Sequence, residues 1–286
     1  MNLKSSIPFT KMSGTGNDFI LIDHRTQFLG DIDFGEFTRA ICRRKFSVGA
    51  DGLILIENCE EMDFRWRFFN ADGSSAEMCG NGARCAARFA FSRGIAPAVM
   101  RFSTIAGIIE AEVVGDGVRL RMTPPGDIQL RQHLIVDDSD RVVHSINTGV
   151  PHAVLFCDNI NSAPVFEWGK IIRYHERFQP AGTNVNFVER RSGSELLVRT
   201  YERGVEGETL ACGTGAVAAA LVAGILGQIQ PPVMVTTSGG EQLIIHFSLA
   251  GGSDFAISKV FLEGPASFIY EGELSEGALS GQKKNS

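Results

Sequence analysis

The chain has 286 residues, of which 44% are hydrophobic and 21% charged, and its formal net charge is −6. This composition is typical of a globular protein with one large domain or two medium ones, and the acidic balance does not favour a nucleic-acid partner. The longest apolar run, residues 216–226, is too short to span a bilayer, and residues 1–11 lack the apolar core of a signal peptide. We therefore expect a cytoplasmic protein with no nucleic-acid or membrane partner.

The first half of the chain alternates strand patterns with turns and two helix patterns. Strands are predicted at 17–23, 53–56 and 63–69, and the last alternates aromatic and arginine side chains as a half-buried antiparallel strand does. Helices are predicted at 35–44 and 80–93, the second ending before Gly94, a typical C′ residue. Residues 99–122 form three short strands, and the Pro-Pro-Gly stretch at 124–126 indicates a domain boundary.

The second half of the chain has the same kind of pattern, with short strands, turns and two helices. Strands are predicted at 142–147, 153–156, 184–188, 196–201, 233–237, 242–247, 255–263 and 268–270, and helices at 166–174 and 213–226. The second of these helices is apolar nearly all round, which is typical of a helix buried within a core. From residue 271 onward the chain is polar, and we expect a frayed tail.

The motif Cys-Gly-x-Gly-Ala occurs twice, at residues 79–83 and 212–216, and an alanine-rich run follows each copy. Each pattern indicates a glycine turn that leads into a helix, with Cys79 or Cys212 at its start. Unpaired N–H groups and the positive end of the helix dipole stabilise an anion there, so a thiol becomes a usable base. The alternative for either residue is a small buried cysteine packed at a helix start. Two matched copies favour function, with one substrate held between two thiols.

The 133-residue spacing of the two motifs predicts an internal duplication. We expect an α+β fold of two pseudo-symmetric halves, each a mixed or antiparallel sheet wrapped around a central buried helix. The active site would lie in the cleft between them. The halves are expected at 1–123, completed by a C-terminal strand at 264–275, and at 124–263, with a disordered tail at 276–286.

The six cysteines show no paired spacing, so we expect thiols and not disulfides in this compartment. No group of His, Cys and carboxylate residues has metal-ligand spacing, and we expect no metal site. The sequence does not determine the assembly, and a homodimer is one arrangement that it allows.

Five segments resemble the diaminopimelate epimerase family. Residues 70–82 and 201–215 resemble its two active-site motifs, residues 9–19 its N-terminus, and residues 182–187 and 151–152 two further segments. The resemblance extends from about residue 9 to about 272, in the expected order. It implies a cofactor-independent racemase fold and a reaction that interconverts LL- and meso-diaminopimelate, on the route to lysine and peptidoglycan, without pyridoxal phosphate.

The same resemblance assigns roles to individual residues. The thiols of Cys79 and Cys212 would exchange roles as base and acid at the α-carbon of a small amino-acid substrate. The residues that would hold this substrate include a charged pair, Glu202 and Arg203. Arg203 would pair with the distal carboxylate of the substrate. Glu202 would bind an ammonium group of the substrate or tune the pKa of a nearby thiol. His152 would adjust the proton affinity of a neighbouring cysteine. The remaining expected substrate contacts are Asn17, Asn70, Asn184 and the backbone N–H groups of Gly80, Asn81, Gly213 and Thr214.

Two positions depart from the family pattern. Val150 stands where many members have an asparagine, and Gly52 where some have a glutamine. These changes affect the expected stringency toward the substrate, not the reaction type. Two alternatives therefore stay open: a related racemase or epimerase that acts on another amino acid, and a thiol-based redox or metal-binding protein.

Overall fold

A computed structural model describes residues 6–191, 193–249 and 257–279. The described residues up to Leu120 and from Gly264 onward form one compact unit, and those of Arg121–Glu263 form another. We call them unit 1 and unit 2. Within the described ranges, no helix is both long and apolar enough to cross a membrane.

The described chain contains many short strands and few helices. The strands are β1 (Ile7–Gly14), β2 (Asn17–Asp23), β3 (Gly52–Glu57), β4 (Phe64–Asn70), β5 (Val99–Thr104), β6 (Gly107–Val114), β7 (Gly117–Arg121), β8 (Gly126–Val136), β9 (Ser139–Asn147), β10 (Pro151–Phe156), β11 (Asn184–Arg190), β12 (Glu195–Glu202), β13 (Gly207–Thr209), β14 (Val233–Thr237), β15 (Gln242–Leu249), β16 (Ile257–Pro265) and β17 (Ser267–Leu274). The α-helices are α1 (Phe34–Ile41), α2 (Gly80–Ser92), α3 (Val165–Arg173), α4 (Gly213–Ile225) and α5 (Glu276–Leu279).

In unit 1 the strands pair in the order β17, β1, β2, β3, β4, β5, β6 and β7. The pairs β2–β3 and β4–β5 are parallel, and parallel neighbours need a crossover, which α1 and α2 supply. The strand β3 is buried along its whole length because α2 covers one face, at Ile54 and Ile56, and α1 the other, at Leu53 and Leu55. This explains its continuous apolar run.

Unit 2 repeats the arrangement. Its strands pair in the order β8, β9, β10, β11, β12, β14, β15 and β16, with β13 as a short addition to β12. The parallel pairs β10–β11 and β12–β14 are joined through α3 and α4. The helix α4 is buried from Gly215 to Ile225 within one apolar cluster, and α3 packs on the cluster of the opposite face. The predicted fold class, two like α+β halves with a central buried helix each, is confirmed.

Most predicted elements occur within two or three residues of their expected bounds, but three strands were missed. β1 pairs with β2 in unit 1 and β8 pairs with β9 in unit 2, and both missed strands carry weak sequence patterns. Most of β8 is exposed, and the left-handed residues Asp127 and Arg131 interrupt its register. β13 is only three residues long. The helix expected at 35–44 ends at Ile41.

The prediction of a frayed tail from residue 271 is wrong for the described part. β17 continues to Leu274, which is buried beside Ile7 because β17 pairs with β1 along its length. The short helix α5 follows and contacts α1. Residues 255–256 of one predicted strand and residues 280–286 of the tail lie outside the described residues.

Candidate active site

Cys79 is the N-cap of α2. Its backbone is extended (φ −147°, ψ 115°), and the helix begins at Gly80 because the glycine turn directs the chain into it. Burial raises the pKa of the Cys79 thiol, and the backbone N–H groups of Gly82 and Asn81 and the charge of Arg84 oppose that rise. The thiol is therefore a protonated group in a setting where several fixed dipoles and one cation favour its anion.

A chain of hydrogen bonds, the amide relay, supports this helix start. The Nη2 atom of the fully buried Arg84 donates to Asn81 Oδ1 at 2.8 Å. Asn81 Nδ2 donates to Asn17 Oδ1 at 2.8 Å, and Asn17 Nδ2 donates to Asp51 Oδ2 at 2.9 Å. A guanidinium only donates and a carboxylate only accepts, so the two ends fix the orientation of both amides. The relay brings the predicted residues Asn17 and Asn81 together.

Cys212 is the N-cap of α4, with an equally extended backbone (φ −126°, ψ 106°). Burial raises the pKa of its thiol to about 11, and the carboxylate of Glu202 raises it further. The Thr214 hydroxyl, 3.6 Å from the sulfur, and the N–H groups of Gly215 and Thr214 act in the opposite direction. Glu202 in turn accepts a hydrogen bond from Thr209 Oγ1 at 2.8 Å, which holds the carboxylate near this helix start.

Asn184 ties three segments of unit 2 together. Its Nδ2 donates to the Pro151 carbonyl oxygen at 3.1 Å, and its Oδ1 accepts the Arg203 backbone N–H at 2.9 Å. The Arg203 side chain donates from Nη1 to the Ala181 carbonyl oxygen at 3.0 Å. Asn184 thus positions the loop ends that carry Arg203 and His152, while both ends of its own amide bond to backbone.

A buried polar cluster of His152, Asn186 and Thr200 lies on the α4 face of the sheet in unit 2. These side chains are 1%, 0% and 3% exposed. Asn186 Nδ2 lies 3.1 Å from His152 Nδ1, and Thr200 Oγ1 donates to Asn186 Oδ1 at 2.9 Å. Burial, and after it the charge of Arg203, lowers the pKa of His152 to about 3.

In unit 1 the equivalent positions are apolar. Ile54 faces Phe68 across β3 and β4, where Asn186 faces Thr200 across β11 and β12. Phe19 pairs with the residue two before Ile54, as His152 pairs with the residue two before Asn186. The two helix starts therefore have the same backbone conformation. The side chains of the sheet beneath them differ, because they are apolar in unit 1 and polar in unit 2.

One predicted contact, Asn70, and one departure from the family pattern, Gly52, have local explanations in the structure. The exposed Asn70 donates from Nδ2 to Ser74 Oγ at 3.0 Å and so holds its own turn. At Gly52, a Cβ would lie 2.6 Å from the Phe68 ring and from the Phe69 carbonyl oxygen. A glutamine there would require a different strand packing, so this departure from the family pattern is built into β3.

Sequence analysis missed four polar residues that support the site. For Asn186 a signal exists, because it lies two residues after Asn184 and so on the same face of β11, between apolar neighbours. Arg84 also carries one, because it is one of only two charged residues in the alanine-rich run of α2. Thr200 and Asp51 carry none, because a threonine in a strand and an aspartate in a turn are ordinary.

Solved structures of other proteins share this fold. A phenazine biosynthesis protein of the PhzF family from Bacillus anthracis matches with a TM-score of 0.71 and 14% identity, over 95% of this chain and 99% of that one. A hydroxyproline epimerase from Agrobacterium vitis matches with a TM-score of 0.65 and 14% identity, over 97% and 94%. The chain is thus in the class of α+β proteins built from two like units, and in this chain each central helix begins after an N-cap cysteine.

The sequence comparison is more specific. The family model described as diaminopimelate epimerase matches residues 9–126 and 144–256. A diaminopimelate epimerase from Aquifex aeolicus is 48% identical over 282 residues, which is 95% of this chain and 99% of that protein. The chain belongs to the diaminopimelate epimerase family, and the resemblance predicted from the motifs is confirmed.

Proposed function

We propose that this protein is an isomerase that interconverts LL- and meso-2,6-diaminopimelate without pyridoxal phosphate, with the thiols of Cys79 and Cys212 as its two acid–base groups. The observation that carries the proposal is the matched placement of these cysteines, each the N-cap of the central helix of its unit. The nearly full-length likeness to a protein named diaminopimelate epimerase supports the substrate.

The reaction moves one proton across one carbon. One thiolate removes the α-proton from one face of the substrate, and the opposite thiol donates its proton to the other face. The first sulfur ends as a thiol and the second as a thiolate, so the enzyme is ready for the reverse direction. The distal stereocentre keeps its configuration.

The carbanionic intermediate needs stabilisation, because no imine is formed to delocalise its charge. The N-termini of α2 and α4 would supply it through the backbone N–H groups of Gly80, Asn81, Gly213 and Thr214, directed at the α-carboxylate. Fixed dipoles of this kind require no reorganisation as the negative charge develops. The glycines permit close approach of backbone to substrate at these helix starts.

The distal end of the substrate requires its own partners. Arg203 would pair with the distal carboxylate, and Asn17, Asn70 and Asn184 would hold the remaining polar groups. Glu202 would take an ammonium or act on Cys212, whose pKa it raises. His152 would act on one of the two thiols.

The surroundings of this site are also part of the proposal. We place it in the cleft between the halves 1–123, with 264–275, and 124–263, in a cytoplasmic enzyme on the route to lysine and peptidoglycan. We further propose a homodimer. Light scattering of the purified protein tests the assembly, and a monomeric mass would contradict it.

The test is proton exchange in D₂O with a panel of amino acids, followed by the loss of the α-proton NMR signal. We expect exchange with diaminopimelate alone. Exchange confined to another amino acid would favour the related racemase. That alternative is based on Val150, which stands where many family members have an asparagine. No exchange with any amino acid, together with metal uptake or disulfide turnover, would favour the thiol-based alternative.

A second test addresses the distance between the two thiols. If they flank one carbon, mild oxidation should link Cys79 to Cys212 and inactivate the enzyme. Peptide mapping of the oxidised protein measures the bridge. Its persistent absence, with both thiols otherwise reactive, would contradict a shared site.

A further inference from the structure

The two ring nitrogens of His152 have different surroundings. Nδ1 lies 3.1 Å from the amide nitrogen of Asn186. Nε2 is buried, and it has no hydrogen-bond partner among the described residues. The protonation state of this ring therefore depends on which way the Asn186 amide is oriented.

Two neighbours fix that orientation. Asn186 Nδ2 also donates to the Ala153 carbonyl oxygen at 2.9 Å, and Asn186 Oδ1 accepts from Thr200 Oγ1 at 2.9 Å. A carbonyl oxygen can only accept a hydrogen bond, so the NH₂ group must lie on the side of Ala153 and His152. A reversed amide would bring two oxygen atoms together in the core and leave both unsatisfied.

The consequence for the histidine follows from elementary hydrogen bonding. Because Asn186 donates to Nδ1, that nitrogen must be the unprotonated one, and the ring proton lies on Nε2. A protonated imidazolium would direct a second N–H at the amide NH₂ group. Burial and the nearby Arg203 cation, the charged side chain that acts on this ring, disfavour the charged form further.

We propose that Asn186 is the positioning residue of His152, which it holds as the neutral Nε2–H tautomer, so that this histidine is a hydrogen-bond donor to an anion in the site and not a proton acceptor. The functional half of this inference depends on the proposed epimerase activity. The structural half does not. The anion is a thiolate or a substrate carboxylate, and a buried neutral donor stabilises either without adding a competing charge.

Direct observation of the tautomer tests the structural half. Long-range ¹H–¹⁵N correlation spectra of the full chain labelled at histidine distinguish a protonated from an unprotonated ring nitrogen. We expect His152 to show Nε2–H and bare Nδ1, unchanged from pH 8 down to pH 5. His144, whose Nδ1 accepts the Arg131 backbone N–H at 3.1 Å, is an internal reference of the same tautomer.

Asn186→Asp reverses the donor with almost no change in shape. A carboxylate accepts from Nδ1, so His152 should switch to Nδ1–H or to the imidazolium, while His144 stays unchanged. A wild-type His152 with Nδ1–H, or one that titrates between pH 5 and pH 8, would overturn the proposal. An unchanged His152 in Asn186→Asp would overturn the role of Asn186.

Kinetics test the functional half. We expect kcat/KM of Asn186→Asp to fall about 10- to 100-fold, the range of a hydrogen bond to a charged group. The kcat/KM of Thr200→Val, which loses the donor to Asn186 Oδ1, should fall less than that of Asn186→Asp. Thr200→Ser keeps the hydroxyl donor and should have the wild-type kcat/KM. A tautomer switch without loss of activity would overturn the functional role.

The two halves fail separately. If the wild-type protein shows no epimerase activity at all, the proposed function fails, and the spectra still decide the tautomer. If Asn186→Asp does not fold, the wild-type spectrum and the pair Thr200→Val and Thr200→Ser still decide the proposal.

Discussion

The starts of α2 and α4 show what a duplicated fold preserves and what it changes. Both present a cysteine as the N-cap, followed by the same glycine turn. Beneath α2 the sheet is apolar, with Phe19, Ile54 and Phe68, whereas beneath α4 it carries the polar cluster. The geometry that activates a thiol is thus kept, while the electrostatics around each thiol have diverged.

The charges that act most strongly on the two sulfurs have opposite signs. The cation of Arg84 lowers the pKa of Cys79, and the carboxylate of Glu202 raises that of Cys212. The position of Arg84 in α2 corresponds to Val217 in α4, so the cation belongs to one helix alone. The cation of Arg84 therefore favours the thiolate form of Cys79, whereas the carboxylate of Glu202 favours the thiol form of Cys212.

The largest expected effect is the loss of either thiol. Cys79→Ala and Cys212→Ala should each lower the rate of epimerisation by about 10⁴-fold or more, because each removes a group that must transfer a proton. Cys157→Ala, a half-buried thiol outside the site, is the control and should keep wild-type activity. Circular dichroism checks the fold. Full turnover by either single variant would contradict two bases.

The next largest effect is expected from the loss of the Arg84 cation in α2. Arg84→Met should lower kcat/KM about 10- to 100-fold, because Asn81 loses a charged donor and Cys79 loses a cation. It should also slow alkylation of Cys79 by iodoacetamide near pH 8, measured by peptide mass spectrometry. Arg88→Met is the matched control, since Arg88 lies one turn further along α2 and pairs with Asp116. Equal effects of the two variants would contradict a specific role for Arg84.

A smaller and graded effect is expected at three glycines. A Cβ at Gly215 would lie 2.3 Å from Asn186 Oδ1, whereas one at Gly82 would lie 3.2 Å from the flexible end of Ile54, and one at Gly80 would meet open space. Gly215→Ala should cost about 1–3 kcal/mol of unfolding free energy, Gly82→Ala about 1 kcal/mol or less, and Gly80→Ala nothing. Urea denaturation measures the series, and equal midpoints would contradict the tighter packing at α4.

The last prediction is a pH dependence of stability. The pKa of His152 is lowered to about 3 in the folded protein from 6.5, so the unfolded chain binds the proton first as the pH falls. His152 thus contributes a loss of stability between about pH 6.5 and pH 3. His152→Gln should show a shallower fall in thermal midpoint over that window. An identical slope in both proteins would contradict a neutral buried ring.

Sequence patterns predicted those parts of the molecule that local chemistry determines. The apolar patterns of β3 and α4 are compatible with few structures other than a buried strand and a buried helix. The repeated cysteine motif identified both helix starts. The amide relay and the polar cluster were not predictable, because they join residues far apart in the chain. Asn186 contacts His152 only because β10 and β11 pair in one parallel register. The sequence around a polar residue in a strand does not indicate which residue of another strand it contacts.

The central claim is that two thiols act on opposite faces of one carbon. The most direct measurement follows LL-diaminopimelate in D₂O and compares the deuterium content of product and recovered substrate during the first few per cent of reaction. Two bases predict deuterium at the α-carbon of the meso product while the recovered LL substrate keeps its proton. Equal labelling of both from the start would show a single base serving both faces and would contradict the account.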